Sequence, residues 1–286
     1  MRRSSGVRLA ALGSVLAGLL AFGSAVPVAA VSTSNSNPNN YLALGDSVPF
    51  GYNPLDVQPG VDPAVFVGYP QLASDLFRPR LKVFNASCPG ETSTSLISGT
   101  RPDNGCQDYR DFIGALHVAY SGSQLQYAEA YVAANPRTKL VSMTIGANDL
   151  FRLQDGCASA PDVTACLYAG LPTLLQTVAA NLTTIYTGLR ASGFTGDFVV
   201  VTYYSLNYAD PATTGAVAAL DHALATVTEA FGGRVGDGFG AFQQASASFG
   251  GDPCAAGLLI HRTATTCDIH PSPAGAALLA AALHAA

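Results

Sequence analysis

Short apolar runs broken by glycine, proline and aspartate alternate along the chain with longer segments whose apolar residues fall at helical spacing. Residues 41–44 (Tyr-Leu-Ala-Leu) predict a short buried strand that stops at Gly45. Residues 69–77 predict a helix with Pro70 in its first turn, and 81–86 predict a second strand. After a long polar connection over 93–122, residues 124–135 predict an amphipathic helix closed by Asn135-Pro136. A third strand is predicted over 140–145, the longest helix over 172–192, and a fourth strand over 198–203. That fourth run is nearly continuous in β-branched residues, as a strand buried on both faces requires. A helix over 213–231, a short strand over 234–237, a loop holding Cys254 and Cys267, and an alanine-rich helix from 272 to the end complete the pattern, with further loops at 51–68 and 150–171. Repeated strand–helix alternation predicts an α/β fold, a parallel sheet with helices on both faces.

The first 30 residues stand apart from this pattern. Arg2, Arg3 and Arg8 precede or open an apolar run that is short for a bilayer span, and small residues ending in Val28-Ala29-Ala30 follow. They predict a secretory signal peptide over 1–30, then a flexible amino terminus over 31–40, and one domain over 41–286. Removing the leader takes three of 14 basic residues and no acid, leaving 11 against 19 acidic and a net charge of −8. Such acidity argues against nucleic acid and anionic membrane surfaces as partners. No later apolar run reads as a membrane span, so a released, extracellular monomer with no stable membrane anchor is expected. All six cysteines, Cys88, Cys106, Cys157, Cys166, Cys254 and Cys267, lie beyond the leader, and an even count in an exported chain predicts three disulfides. Six cysteines allow fifteen connectivities. Pairing of sequence neighbours is favoured, because each pair brackets a polar stretch. With no Cys-x-x-Cys and scattered histidines, no metal site and no cofactor are predicted.

Candidate chemistry gathers at strand ends, where open α/β sheets bind ligands. Ser47 follows the first predicted strand, Gly90 the second and Asn148 the third, while His270 lies near the carboxyl terminus beside Asp268. Taken singly, each has a plainer reading: Ser47 as a helix cap, Gly90 as a turn glycine, Asn148 in an Asx turn, His270 opening the last helix. Together they supply a nucleophile, a base and donors for a developing oxyanion, the parts that acyl transfer needs. Glu91 and Asp149 read as helix-start carboxylates, and His117, His222, His261 and His284 as surface or structural residues.

Gly45-Asp46-Ser47, the Gly90 turn, Gly146-Ala147-Asn148-Asp149 and Asp268-Ile269-His270-Pro271 occur in the order of the SGNH (GDSL-type) hydrolases, which the chain resembles over nearly its whole mature length. The resemblance implies a flavodoxin-like, five-stranded parallel sheet in a three-layer α/β/α sandwich. It also implies serine-dependent cleavage of carboxylic esters, as in the secreted bacterial lipases and esterases of that family. It assigns Ser47 as nucleophile, His270 as base, and Ser47, Gly90 and Asn148 as oxyanion donors. Two positions depart from the family pattern. Val48 stands where leucine is usual, and Cys267 stands three before His270, where the family commonly has aspartate. Asp268 is two before His270, and residues two apart share a face in an extended segment. Either Asp268 or a backbone carbonyl therefore orients the imidazole. Val48, Phe50, Leu150 and Phe151 are the apolar neighbours expected to meet the acyl group of a small-molecule or lipid ester. Two rival functions are deacetylation of polysaccharide and non-catalytic binding by a secreted module.

Overall fold

The computed structural model describes residues 40–286. The expected leader and all but the last residue of the polar run after it lie outside the described residues. Asn40 belongs to the first strand instead. In chain order the elements are β1 (Asn40–Gly45), α1 (Ser47–Phe50), α2 (Tyr69–Ser74), β2 (Lys82–Asn85), α3 (Ser93–Ser98) and α4 (Cys106–Asp108). The chain continues through α5 (Gln124–Ala134), β3 (Leu140–Thr144), α6 (Ala147–Cys157), α7 (Val163–Ala191), β4 (Asp197–Val201) and α8 (Pro211–Ala230). It closes with β5 (Arg234–Gly236), α9 (Gly238–Ser246), β6 (Leu259–His261), β7 (Cys267–Pro271) and α10 (Pro273–Ala285).

Strands β1 to β5 form one parallel sheet in the order β2-β1-β3-β4-β5, the flavodoxin-like arrangement. Helices α2, α9 and α10 pack together on one face, and α3, α5, α7 and α8 on the other. Buried on both faces, the central strands are almost wholly apolar, with Leu42, Leu44, Met143, Val199 and Val201 in the core. Their few polar side chains are paired. Tyr69 Oη and Thr144 Oγ1 lie 3.0 Å apart, and Thr144 Oγ1 also donates to the Val201 carbonyl.

Three expectations need correction. The predicted loop over 150–171 is mostly helix, α6 and the first turns of α7, joined by Cys157–Cys166. Asp162 caps α7 by accepting from the Ala165 N–H, so Pro172 lies inside a 29-residue helix rather than at its start. By length and composition α7 is also apolar enough to cross a membrane, contrary to the reading of the sequence. Its carboxyl half is nonetheless a core helix, burying Leu182, Ile185, Tyr186 and Leu189 against the sheet side of the molecule. Finally, the segment after β5 is not simply loop. It holds α9 and the antiparallel β6–β7 pair.

Candidate active site

The carboxyl ends of β1, β2 and β3 open onto one cleft. At the end of β1, Gly45 takes φ +122°, and a Cβ there would lie 2.0 Å from the Thr144 carbonyl oxygen on β3. Only glycine fits. Asp46 then caps α1, its carboxylate accepting from the Val48 N–H at 3.0 Å. Ser47 is therefore the first residue of a helical turn, where its N–H has no intrahelical acceptor, and it lines the cleft.

His270 Nε2 stands 2.9 Å from Ser47 Oγ, across 223 residues of sequence. Asp268 and His270 are alternate residues of β7 and project from one face, so that Asp268 Oδ1 pairs with His270 Nδ1. A carboxylate at Nδ1 keeps that nitrogen protonated and leaves Nε2 to accept from the serine hydroxyl. The free oxygen of Asp268 accepts from Arg262 Nε at 3.0 Å and Nη2 at 2.7 Å. Burial alone would raise the Asp268 pKa, but hydrogen bonds from His270 and Arg262 outweigh it and hold the carboxyl below the usual range. The strand carrying both residues is fixed by the Cys254–Cys267 disulfide and by Tyr204 Oη, which donates to the Ile269 carbonyl at 2.7 Å. The Tyr52 ring packs 4.8 Å from the imidazole.

Asn148 enters from the start of α6 and is almost fully buried. Its Nδ2 donates to the Glu91 carbonyl at 2.9 Å, while its Oδ1 accepts from Asn104 Nδ2 at 2.8 Å. The backbone carbonyl is an unambiguous acceptor, so the amide cannot be reversed without setting two oxygens against each other. One Nδ2 hydrogen is left for the cleft. Gly90, at φ +83°, lies against Asn104, whose carbonyl oxygen would be 2.4 Å from any Cβ at that position. The Asn104 N–H in turn donates to the Gly90 carbonyl at 2.8 Å. Ser47, Gly90, Asn148 and His270 thus line a single recess.

A buried polar layer stands behind these residues. Tyr203, just past β4, donates from its hydroxyl to Asp46 and accepts from the Ala147 N–H at 3.2 Å, tying the serine turn to the asparagine turn. Gln124 grips both sides of the Gly45 peptide, accepting from its N–H and donating to its carbonyl, and also donates to Glu91. Burial pushes the carboxyls of Asp46 and Glu91 up to about 7 each, partly offset by hydrogen bonds from Tyr203 and from Ser95 with Gln124.

Sequence reasoning named Ser47, Gly90, Asn148, Asp268 and His270, and the structure brings all five together. It missed Arg262, Asn104, Gln124, Tyr203 and Tyr204. Asn104 was within reach, because a Cys88–Cys106 bridge carries residue 104 toward Gly90. Val48, Leu150 and Phe151 line the cleft. Phe50 does not: it is fully buried in a separate cluster with Phe66 and Tyr109, because α1 turns it away from Ser47. Asp149 accepts from the Ser93 N–H and hydroxyl rather than simply starting a helix, and Glu91 is a core carboxyl. His117 is half-buried against the Phe50 carbonyl. The three disulfides join Cys88 to Cys106, Cys157 to Cys166 and Cys254 to Cys267. Two groups, Cys254–His261–Cys267 and Cys88–Glu91–Cys106, bring metal-ligand atom types together, but their cysteines are bridged and offer no thiolate.

A parallel sheet of this order, with a serine, an imidazole and an oriented amide at its strand ends, has the architecture of a carboxylic ester hydrolase. The model of the GDSL-like lipase/acylhydrolase family matches residues 43–278, and the chain belongs to that family. No curated protein sequence matches the chain. Among solved structures it is similar to phospholipase A1 from Streptomyces albidoflavus NA297, with a TM-score of 0.55 and 20% identity over 86% of this chain and 98% of that one. The extracellular lipase of Streptomyces rimosus gives a TM-score of 0.53 and 18% identity over 86% and 99% of the two chains. A mutant of the Geobacillus acetyl-xylooligosaccharide esterase Axe2 gives 0.52 and 19% identity over 85% and 91%. At these identities the likeness is one of fold.

Proposed function

We propose that the protein is an exported serine esterase that cleaves carboxylic esters through an acyl-enzyme on Ser47. The observation that carries this reading is the chain of contacts from Ser47 Oγ through the His270 ring to Asp268. His270 Nε2 takes the hydroxyl proton as Ser47 Oγ bonds to the ester carbon, and the carbonyl oxygen becomes an oxyanion. The N–H groups of Ser47 and Gly90 and the free Nδ2 hydrogen of Asn148 receive that charge. Collapse breaks the bond to the alcohol, which leaves with the proton from His270. Water, deprotonated by the same imidazole, then releases the acid and restores the serine. The leader-like amino terminus and three disulfides support export, since such bonds persist in oxidising compartments.

Hydrolysis of p-nitrophenyl butyrate by the purified mature protein tests the assignment. Ser47→Ala is expected to lower kcat by roughly 10⁴–10⁶ and Asn148→Ala by about 10²–10³. Full activity in Ser47→Ala contradicts the proposal.

A further inference from the structure

We infer that the enzyme selects esters of medium to long unbranched acyl chains, and that the chain lies in a two-chamber apolar groove running from Ser47 between α6, α7 and α8. The inference rests on the esterase reading above and names the substrate class of that site. The first chamber, about 230 Å³, has Ser47 and His270 at one end and Val48, Leu150, Val217 and Leu220 along its walls. A second chamber of about 160 Å³ follows, walled by Leu153, Leu167, Leu171 and the Tyr168 ring. Leu150, Gln154, Thr213 and Ala216 line both chambers, so the two are neighbours that share a waist.

The walls decide what occupies this groove. No carboxylate, ammonium, guanidinium or imidazole lines the second chamber; six of its ten lining residues are leucine or alanine, and Gln154, Thr164, Tyr168 and Thr213 bring its polar groups. A sugar chain would bring hydroxyls that find few partners there, each costly to strip of water. A polymethylene chain brings none. An acetyl or butyryl group is too short to pass the first chamber, which leaves the second without a role for short esters. Each methylene drawn from water into such a lining improves transition-state binding by about fourfold. The opposite recess, lined by Tyr52, Gly90, Asn104 and Tyr109, carries the polar surface and suits the alcohol side of the ester.

The test is a chain-length series of p-nitrophenyl esters from acetate to palmitate, read as kcat/KM. The wild-type protein is expected to favour decanoate or dodecanoate over acetate at least tenfold. Ala216→Phe, which fills the waist, is expected to lower the dodecanoate-to-butyrate ratio at least tenfold. Ala218→Phe, on the exposed side of the same helix, keeps the wild-type ratio. If Ala216→Phe does not fold, Thr164→Trp at the far chamber carries the same ratio test for the longest esters. Vesicles of dipalmitoyl phosphatidylcholine beside soluble dodecanoate ester separate a lipid source of the chain from a dissolved one, and a loss of turnover on filling the waist, with whichever of the two is cleaved, supports the groove. A wild-type profile that peaks at acetate, or a ratio unmoved by filling the waist, overturns the inference while leaving the Ser47 chemistry intact. Absence of turnover on every ester overturns the esterase reading itself.

Discussion

Arg262 occupies the oxygen of Asp268 that His270 leaves free, so the carboxylate two residues from the histidine is gripped from both sides. Asp268→Asn is expected to lower kcat by roughly 10⁴, since the amide presents the wrong partner to Nδ1. Arg262 touches no reacting group and acts only through Asp268. Arg262→Ala should therefore cost about tenfold in kcat alone, and nothing further in an Asp268→Asn background. Additive losses in the double variant contradict the positioning role. Spacing along an extended segment made the Asp268–His270 pair legible in the sequence. Arg262 was not legible, because its approach depends on the β6–β7 pairing, and β6 is only three residues long. Tyr203 and Gln124 escaped for a similar reason. Each is a polar residue on an element that reads as core, and its partners lie in distant segments.

At the scale of elements, the pair α6 and α7 shows where the pattern of the chain misleads. Cysteines, glycines and Pro172 made 150–171 look like loop, yet the Cys157–Cys166 bridge and the Asp162 cap allow both helices to begin there. Proline inside α7 removes one hydrogen-bond donor and crowds the carbonyl four residues earlier, a cost a long helix tolerates when the rest of it is packed. Gly170 brings α7 against α6, since a Cβ there would lie 2.5 Å from Leu153. The bridge consequently holds the wall of the far chamber. Cys157→Ser with Cys166→Ser is expected to cost roughly 3 kcal/mol of stability and to reduce the preference for long esters more than butyrate turnover. Chain-length profiles and denaturant melts read these two effects separately. An unchanged profile in a destabilised protein contradicts the structural part assigned to this hairpin.

For the whole molecule, the strand–helix alternation made the sandwich and its strand-end chemistry legible. The order of strands was legible only through resemblance, because periodicity says which segments are strands and not which are neighbours. Nor does it show that carboxyls such as Asp221 are buried, and these govern response to pH. Burial lifts Asp221 to about 8, with Asp46 and Glu91 at about 7. The folded state holds these protons more tightly than the unfolded chain does, so their contribution is complete below about pH 4 and is lost as pH rises through 7 to 8. Asp268 runs the other way, stabilising above about pH 4 and losing its effect on acidification. Tm is expected to fall between pH 5 and 8, and Asp221→Asn to flatten the fall; a Tm that climbs over this range contradicts the burial argument. The central claim, that Ser47 is the nucleophile His270 activates, is tested most directly by treating the folded protein with a fluorophosphonate and mapping the adduct by mass spectrometry. One adduct per chain is expected, on Ser47, absent from Ser47→Ala and formed far more slowly in His270→Ala. An active enzyme that carries its adduct on another residue, or none, contradicts it.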